Sequence, residues 1–313
     1  MSDAGPARVG RGRRARACWL GVTRLLEVDR LSKTYSGGVT ALSEVTLSVG
    51  EGIYGLLGAN GAGKSTLMRT LATLQLPTSG TARLGEIDLV GDPMRARRVI
   101  GYLPQDVGTY PRVTAREMLD YIAGLRGIGP ARARRQLVQR ELERVNLGDV
   151  ADRRLDTYSG GMRQRFGIAT VFIDSPRLVI VDEPTAGLDP TERRRFQSLL
   201  AEIAQDCVLL LSSHIVEDLS GLCSRLALLH EGRVEQEGDP EGLLKPLENR
   251  IWRRRIPLGS RSEWESKVNL LSARPVRGEL EIRAHHENLT EHGFESVEAD
   301  LEDLYNLHTG ASS

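Results

Sequence analysis

The sequence predicts an α/β protein built on a parallel sheet that helices cover on both faces. Two observations favour this fold class. Strand-length runs of consecutive apolar residues, such as 178–181 and 207–211, alternate with segments of helical spacing, and strands buried on both faces of a parallel sheet have this composition. A glycine-rich segment, 58–63, lies between the apolar run 53–57 and a helical pattern, which is typical of a strand-loop-helix unit that binds phosphate.

Length, charge and cysteine content limit the function classes. The 313 residues exceed the roughly 100–200 of a single domain, so two domains are expected. The 42 basic and 42 acidic residues balance, so we expect no nucleic-acid partner. The 3 cysteines have no metal-ligand or redox spacing and indicate a reducing cytosol. The longest apolar runs are of strand length, whereas a membrane-spanning helix needs about 20 apolar residues.

The elements before and after the glycine-rich loop are predicted from their periodicity. Residues 26–49 alternate apolar and polar side chains, which indicates half-buried antiparallel strands with a turn at Ser36, Gly37 and Gly38. The next predicted elements are a helix at 64–74, a turn at 77–80 and short strands at 81–84 and 99–103.

A helical insertion is predicted at 114–147, where two helical patterns are separated by the breaker 127–130. The elements predicted after it are helices at 160–173 and 191–204, the buried strands at 178–182 and 208–212, a turn and short strand at 232–238 and a helix at 240–247.

The sequence patterns at both ends of the chain differ from those of the region between them. Residues 250–313 alternate as strand, helix, strand, strand, helix, strand, helix, the second helix at 286–292, which predicts a small C-terminal α+β domain of the split βαβ kind. The arginine-rich residues 1–24 have too short an apolar core for a targeting signal. We interpret them as a disordered arm or an overlong start, with contact to acidic lipid headgroups as the alternative.

The glycine-rich loop fits the pattern of Gly, any four residues, Gly, Lys, then Ser or Thr. Its glycines let backbone amides point into one concavity at the start of a helix. Lys64 is expected to reach the terminal phosphates, and the hydroxyl of Ser65 to ligate the magnesium ion that bridges them. The loop residues predicted to bind the nucleotide are Gly58, Asn60, Gly61, Ala62, Gly63, Lys64, Ser65 and Thr66.

Three further sets of residues complete this chemistry. Asp182, at the end of a buried strand, is expected to hold magnesium opposite Ser65, and Glu183 to orient and deprotonate the water that attacks the γ-phosphate. His214 follows a second buried strand and is expected to donate a hydrogen bond to that phosphate. A second anion site is predicted at the start of a helix, at Ser159, Gly160 and Gly161.

These blocks and their order resemble the ABC ATPases. YSGGMRQR, at 158–165, resembles the signature motif, and it stands among Walker A, Walker B and His-switch blocks in that family's order. The resemblance covers about residues 25–245. It implies a P-loop NTPase core that binds ATP and Mg²⁺, with an antiparallel β subdomain and a helical subdomain at about 106–165.

The resemblance also implies roles for single residues. Two such domains pack head to tail, so Ser159, Gly160 and Gly161 act on the ATP that the partner holds, and Asp189 of AGLD lines the seam. Gln105 of YLPQD matches the residue whose amide contacts magnesium and the attacking water. Tyr35 stands where the family keeps an aromatic that stacks on adenine, worth roughly 1–3 kcal/mol.

The function implied is an ATPase subunit, with an identical second subunit, that powers export through a separate membrane permease at the cytoplasmic face. The signature form and the closing ADLEDLYNLHTG are most similar to the drug and antibiotic exporter branch, although Tyr158 and Met162 depart from the commonest signature. The loop 105–113 and the helical insertion are expected to contact the permease. The alternatives are a soluble ABC ATPase, for example in iron-sulfur assembly, and a P-loop kinase or GTPase, which leaves His214 unexplained.

Overall fold

A computed structural model describes residues 25–108 and 111–310 of the chain. The predicted arm at 1–24 lies outside the described residues. The strands are β1 (Leu26–Thr34), β2 (Thr40–Val49), β3 (Gly52–Leu57), β4 (Ser79–Leu84), β5 (Ile87–Asp88), β6 (Ile100–Leu103), β7 (Leu178–Asp182), β8 (Val208–Ser213), β9 (Arg225–His230), β10 (Arg233–Gly238), β11 (Ile251–Pro257), β12 (Asn269–Val276), β13 (Glu279–His285) and β14 (Glu295–Val297). The helices are α1 (Lys64–Leu71), α2 (Pro93–Ala96), α3 (Ala115–Leu125), α4 (Ala131–Arg144), α5 (Gly160–Phe172), α6 (Pro190–Ile203), α7 (Val216–Ser220), α8 (Pro240–Leu244), α9 (Arg261–Glu265) and α10 (Leu301–Thr309).

The central sheet of the described residues has six strands in the order β10-β9-β3-β8-β7-β6. The five strands from β9 to β6 are parallel, and β10 pairs antiparallel with β9 at one edge. Strands β7 and β8 are buried along their whole length, as their continuous apolar sequence predicts. The α/β fold class is thereby confirmed, and the carboxyl ends of β3, β7 and β8 meet at one edge of the sheet.

A second, antiparallel sheet has the order β2-β1-β4-β5. Alternate residues of β1 and β2 face each other in register, as in Leu26 with Val49 and Val28 with Leu47, and these side chains are buried. They share one hydrophobic core with α1 and one face of the central sheet. The predicted alternation of 26–49 thus corresponds to a sheet that packs over the helix following the glycine-rich loop.

The opposite face of the central sheet packs against the helical insertion and against α5 and α6, in a second core. Helix α3 begins at a capping box, in which the Thr114 side chain accepts from the Glu117 amide while the Glu117 side chain accepts from the Thr114 amide. Among the described residues, no helix combines the length and the apolar character that crossing a bilayer requires.

The C-terminal strands form a four-stranded antiparallel sheet, β12-β13-β11-β14, which is the strand order of a split βαβ unit. The predicted helix at 286–292 is wrong, because this segment holds only a 3₁₀ turn, Thr290–His292. The side chain of Asn288 accepts hydrogen bonds from the amide and hydroxyl of Thr290, and such local bonds compete with helix formation. Gly293 then turns the chain with φ 70°.

Two other differences from the sequence prediction have local causes. Helix α1 ends at Leu71 rather than at 74, because Thr73 adopts φ 60°, which is outside the right-handed helical region. Strand β9 was not predicted, although it lies inside the central sheet. Its apolar run of Leu226–Leu229 is short enough to fit a helix or a strand. The short elements β5, α2 and α7 were not predicted either.

Candidate functional site

The glycine-rich loop joins the carboxyl end of β3 to α1. Gly61 and Gly63 adopt φ 85° and φ 105°, a left-handed conformation that favours glycine. A Cβ at Gly63 would lie 2.5 Å from the carbonyl oxygen of Ala41, so the loop also needs glycine there for space. The loop borders a cleft of about 390 Å³. The cleft is lined by Ala41, Ala59, Asn60, Gly61, Gly63, Lys64, Ser65, Thr66, Gln105, Glu183 and His214.

Lys64 is buried at the start of α1, beneath this loop. Its Nζ donates to the carbonyl oxygens of Gly58 at 2.7 Å and Ala59 at 3.1 Å. It also forms an ion pair with Oε1 of Glu183 at 3.1 Å. Each of the three ammonium donors therefore has an acceptor, and the charge that the sequence assigns to phosphate binding is balanced by a carboxylate.

Asp182 ends β7 and is buried. Its Oδ1 accepts from Ser65 Oγ at 3.3 Å and from Ser212 Oγ at 2.7 Å. A carboxylate and a hydroxyl therefore meet next to the phosphate loop. Magnesium takes oxygen ligands, usually one or two from the protein with the rest from phosphates and water, so Ser65 and Asp182 fit the ion that the family implies.

Glu183 connects the two sides of the cleft. Its Oε2 lies 3.1 Å from Nδ1 of His214 and accepts from Nε2 of Gln105 at 3.5 Å, while Oε1 pairs with Lys64. Glu183 thus contacts the other two residues that the sequence predicts to be catalytic, Gln105 and His214. Gln105 is held in turn by Gln164, whose Nε2 donates to the Gln105 carbonyl oxygen at 3.2 Å.

Tyr35 lies in the hairpin between β1 and β2, and it is exposed. Its hydroxyl lies 3.2 Å from Oγ1 of Thr66 and donates to Oε1 of Gln75 at 3.2 Å. The Nζ of Lys33 lies 5.4 Å from the ring centroid. The ring is therefore tied to the helix that begins at the phosphate loop, a position compatible with a base that extends from bound phosphates.

The predicted signature residues do not line this cleft. Ser159 caps α5, and its Oγ accepts from the Met162 amide at 3.2 Å. Ser159 and Gly160 are exposed at that helix start. Asp189 is exposed as well and caps α6. Hydrogen bonds from the amides of Glu192 and Thr191 lower the pKa of the Asp189 carboxyl.

Sequence reasoning missed several contacts that shape the site. Ser212 bonds to Asp182 and to the Glu183 amide, and the Gly232 amide donates to the Ala62 carbonyl oxygen at 2.9 Å. Ser212 stands in the SSH block, where a polar residue closes an otherwise aliphatic strand, and that signal was available. No pattern pointed to Gly232, which braces the loop from a distant turn.

Comparisons with known proteins point to one family. Residues 42–186 match the family profile described as ABC transporter. The chain is 37% identical over 269 residues to the daunorubicin/doxorubicin resistance ATP-binding protein DrrA of Streptomyces peucetius, covering 85% of this chain and 78% of that protein. It is 39% identical over 233 residues to the phosphonates import ATP-binding protein PhnC of Chromohalobacter salexigens, covering 70% and 86%.

A solved structure gives the same result for the fold. A dimeric ATP-binding cassette in a post-hydrolysis state, bound to ADP and Pi, superposes with a TM-score of 0.63 at 25% identity, covering 68% of this chain and 98% of that one. The chain belongs to the ABC transporter family, as an ATP-binding subunit with ATPase activity.

Proposed function

We propose that this subunit drives export of a drug-like or antibiotic-like molecule through a separate membrane permease, working as a homodimer at the cytoplasmic face of the membrane. The observation that supports its hydrolytic role is the meeting of Lys64, Gln105, Glu183 and His214 in one cleft. The alignment with the doxorubicin resistance protein covers 85% of the chain and that with the phosphonate importer 70%. The wider match supports the export direction.

The side chains of the cleft suggest how hydrolysis proceeds. The phosphates of ATP replace Glu183 as the partner of Lys64, since the ammonium group cannot bind both without losing a carbonyl contact. Glu183, released from Lys64, then accepts a proton from the attacking water. His214 and Gln105 already lie beside this carboxylate and orient it. Magnesium, when bound, neutralises phosphate charge, and Ser65 and Asp182 would hold it.

Completion of the site by a second subunit is supported by where the signature residues lie. Ser159 and Gly160 expose a hydroxyl and helix-start amides, which favour an anion, yet they do not line their own subunit's cleft. The related cassette that superposes on this chain is dimeric. We therefore assign Ser159, Gly160, Gly161 and Asp189 to the ATP held by the partner.

The surface proposed to contact the permease comprises the loop 105–113 and the helical insertion; Thr109 and Tyr110 of this loop lie outside the described residues. On α3, the side chains of Tyr121 and Leu125 are 62% and 70% exposed and lie one helical turn apart. They border a groove of about 390 Å³ between α3 and α4. Large exposed apolar side chains at a groove are typical of a protein interface. Crosslinks that map only to the opposite face would contradict this assignment.

The hydrolytic role is tested with Glu183→Gln. Loss of the carboxylate removes the proton acceptor, so we expect ATP to bind while turnover stops, and the variant to dimerise in MgATP. Glu235→Gln, an exposed carboxylate of β10, is the control and should hydrolyse ATP as the native protein does. Steady-state hydrolysis that survives in Glu183→Gln would remove the assignment, and a monomer in saturating MgATP with the permease present would remove the dimer.

The export direction needs a separate experiment. Cells that co-express this subunit with its permease should accumulate less of the transported drug than cells in which the subunit carries Glu183→Gln. The opposite result, greater uptake with the active subunit, would show import.

A further inference from the structure

Ser212 is the last but one residue of β8, at the sheet edge where the site lies. Its side chain is 0% exposed, and it stands directly opposite Asp182 in the parallel pairing of β7 and β8. The hydroxyl donates to Asp182 Oδ1 at 2.7 Å and accepts from the backbone amide of Glu183 at 3.0 Å. One buried hydroxyl thus contacts both acidic residues of the site.

The contact with the Glu183 amide acts on a constrained backbone. Glu183 adopts φ 45°, a left-handed conformation that is unfavourable for residues other than glycine. This conformation aims the carboxylate at Lys64 and His214. A hydrogen bond to the amide stabilises the turn at the residue whose side-chain direction matters for attack on the phosphate.

The contact with Asp182 acts on the rotation of its carboxylate. Oδ1 accepts from Ser212 at 2.7 Å and from Ser65 at 3.3 Å, so the shorter bond comes from the serine on β8. The three preceding residues of β8 are leucines that are all buried. An aliphatic side chain at 212 would continue that strand but would leave the Glu183 amide and Asp182 Oδ1 without this partner, which is costly in a buried site.

We propose that Ser212 is a positioning residue for hydrolysis, which holds the carboxylate of Asp182 and the backbone of Glu183 in the arrangement that the reaction uses. The inference rests on the proposed roles of those two acidic residues. Ser212 contacts neither phosphate nor water in this role, and it acts through Asp182 and Glu183.

The neighbouring Ser213 provides a matched control. It is buried on the same strand, but its Oγ donates to Asp218 at 3.2 Å and accepts from the Ile215 amide at 2.9 Å. Loss of its hydroxyl removes a buried polar group from β8 without touching Asp182 or Glu183. The other variants are Ser212→Ala, Ser212→Cys, which keeps the volume, and Ser212→Thr, which keeps the hydroxyl.

The variants are compared by kcat and KM, by thermal unfolding, and by the affinity for a fluorescent ATP analogue in magnesium and in EDTA. We expect kcat to fall at least about tenfold in Ser212→Ala and Ser212→Cys, because these variants lose or weaken the hydrogen bond to the Asp182 carboxylate and the bond from the Glu183 amide. The gain in affinity from magnesium should shrink, with the affinity in EDTA unchanged. Ser212→Thr and Ser213→Ala should keep kcat within about threefold of the native value, which is a smaller change than the loss of a hydrogen bond causes.

The proposal is overturned if Ser212→Cys keeps the native kcat and the native magnesium gain, or if Ser213→Ala loses as much of both as Ser212→Ala does. The second result would show that the buried hydroxyls of β8 stabilise the fold and that Ser212 has no specific role at Asp182 and Glu183. Failure of the native protein to hydrolyse ATP is a different outcome, because it would contradict the proposed function itself.

Discussion

At the residue scale, the cleft is held together by side chains that have more than one partner. Glu183 meets Lys64, Gln105 and His214, and Asp182 meets Ser65 and Ser212. The sequence predicted that Lys64, Glu183 and His214 act at the terminal phosphate and that Ser65 and Asp182 hold magnesium, but it gave no role to Ser212. It did not predict the pair of Lys64 and Glu183, because residues far apart in sequence are brought together only by the order of strands in the sheet.

Tyr35 gives a prediction about recognition of the base. Tyr35→Ala should weaken ATP binding by about 5- to 150-fold, the loss of roughly 1–3 kcal/mol of stacking, and leave the affinity for inorganic tripolyphosphate unchanged. Tyr35→Phe keeps the ring but loses the hydrogen bonds to Thr66 and Gln75. Its affinity for ATP should therefore lie between those of the native protein and Tyr35→Ala. Both affinities are measured by calorimetry, with exposed Val39→Ala of the same hairpin as the control. Equal losses of affinity for ATP and for tripolyphosphate would show that Tyr35 does not bind the base.

At the element scale, the starts of α5 and α6 face each other. A Cβ on Gly161 would collide with the carboxylate of Glu192, and that carboxylate is held by ion pairs with Arg165 and Arg195. The helix that begins at the signature serine is thereby joined to the helix that Asp189 caps. Both predicted partner-facing segments of one subunit are fixed relative to each other.

Gly161→Ala tests this junction by its effect on stability. Because Glu192 can swing away only by giving up its ion pair with the largely buried Arg165, we expect the free energy of unfolding to fall by about 1 kcal/mol, the low end of the cost of overpacking. Gly160→Ala is the control, because nothing lies within 4 Å of a Cβ there. Chemical denaturation of both variants gives the comparison, and equal stability for the two would mean that the helices are not in contact.

The cap of α6 gives a prediction about pH. Amides of Glu192 and Thr191 lower the pKa of Asp189 in the folded protein, so its contribution to stability is present above the ordinary carboxyl pKa and is lost as the pH falls through the lowered folded value. The stability difference between the native protein and Asp189→Ala should therefore shrink on acidification from neutral pH. Thermal unfolding across that range measures it, and a difference independent of pH would refute the assignment.

How far the sequence predicts this fold depends on the length of each pattern. Helices α3 and α4 have a long helical pattern, and strands β7 and β8 are continuous apolar runs. All four were predicted within a few residues. Strand β9 was missed because four apolar residues do not distinguish strand from helix. The helix predicted at 286–292 failed because local side-chain bonds competed with it. In the site, motif residues were identified from spacing, but bracing residues such as Ser212 depend on strand register.

At the scale of the whole molecule, α10 joins the C-terminal sheet to the rest of the chain. Leu301 and Leu304 share one buried cluster with Leu226 of β9, Leu243 of α8 and Leu271 of β12. Arg283 of β13 forms an ion pair with Asp303 on the same helix. The predicted boundary near residue 250 therefore separates two sheets that share a core.

Leu304→Ala tests whether the two parts unfold together. The variant leaves a cavity in the shared cluster, so we expect the free energy of unfolding to fall by about 2–5 kcal/mol. The exposed Leu258→Ala should change it by less than about 0.5 kcal/mol. Denaturation followed by tryptophan fluorescence and circular dichroism should give one transition for both probes. Two separated transitions would show that the C-terminal sheet folds on its own.

The pairing of Lys64 with Glu183 means that the phosphate loop has a counterion from its own chain. A sulfate or a free phosphate ion must compete with a carboxylate that is already bonded at 3.1 Å, whereas a nucleotide brings several phosphates and a base at once. We therefore expect the cleft to favour a nucleotide over the small anions of the cell.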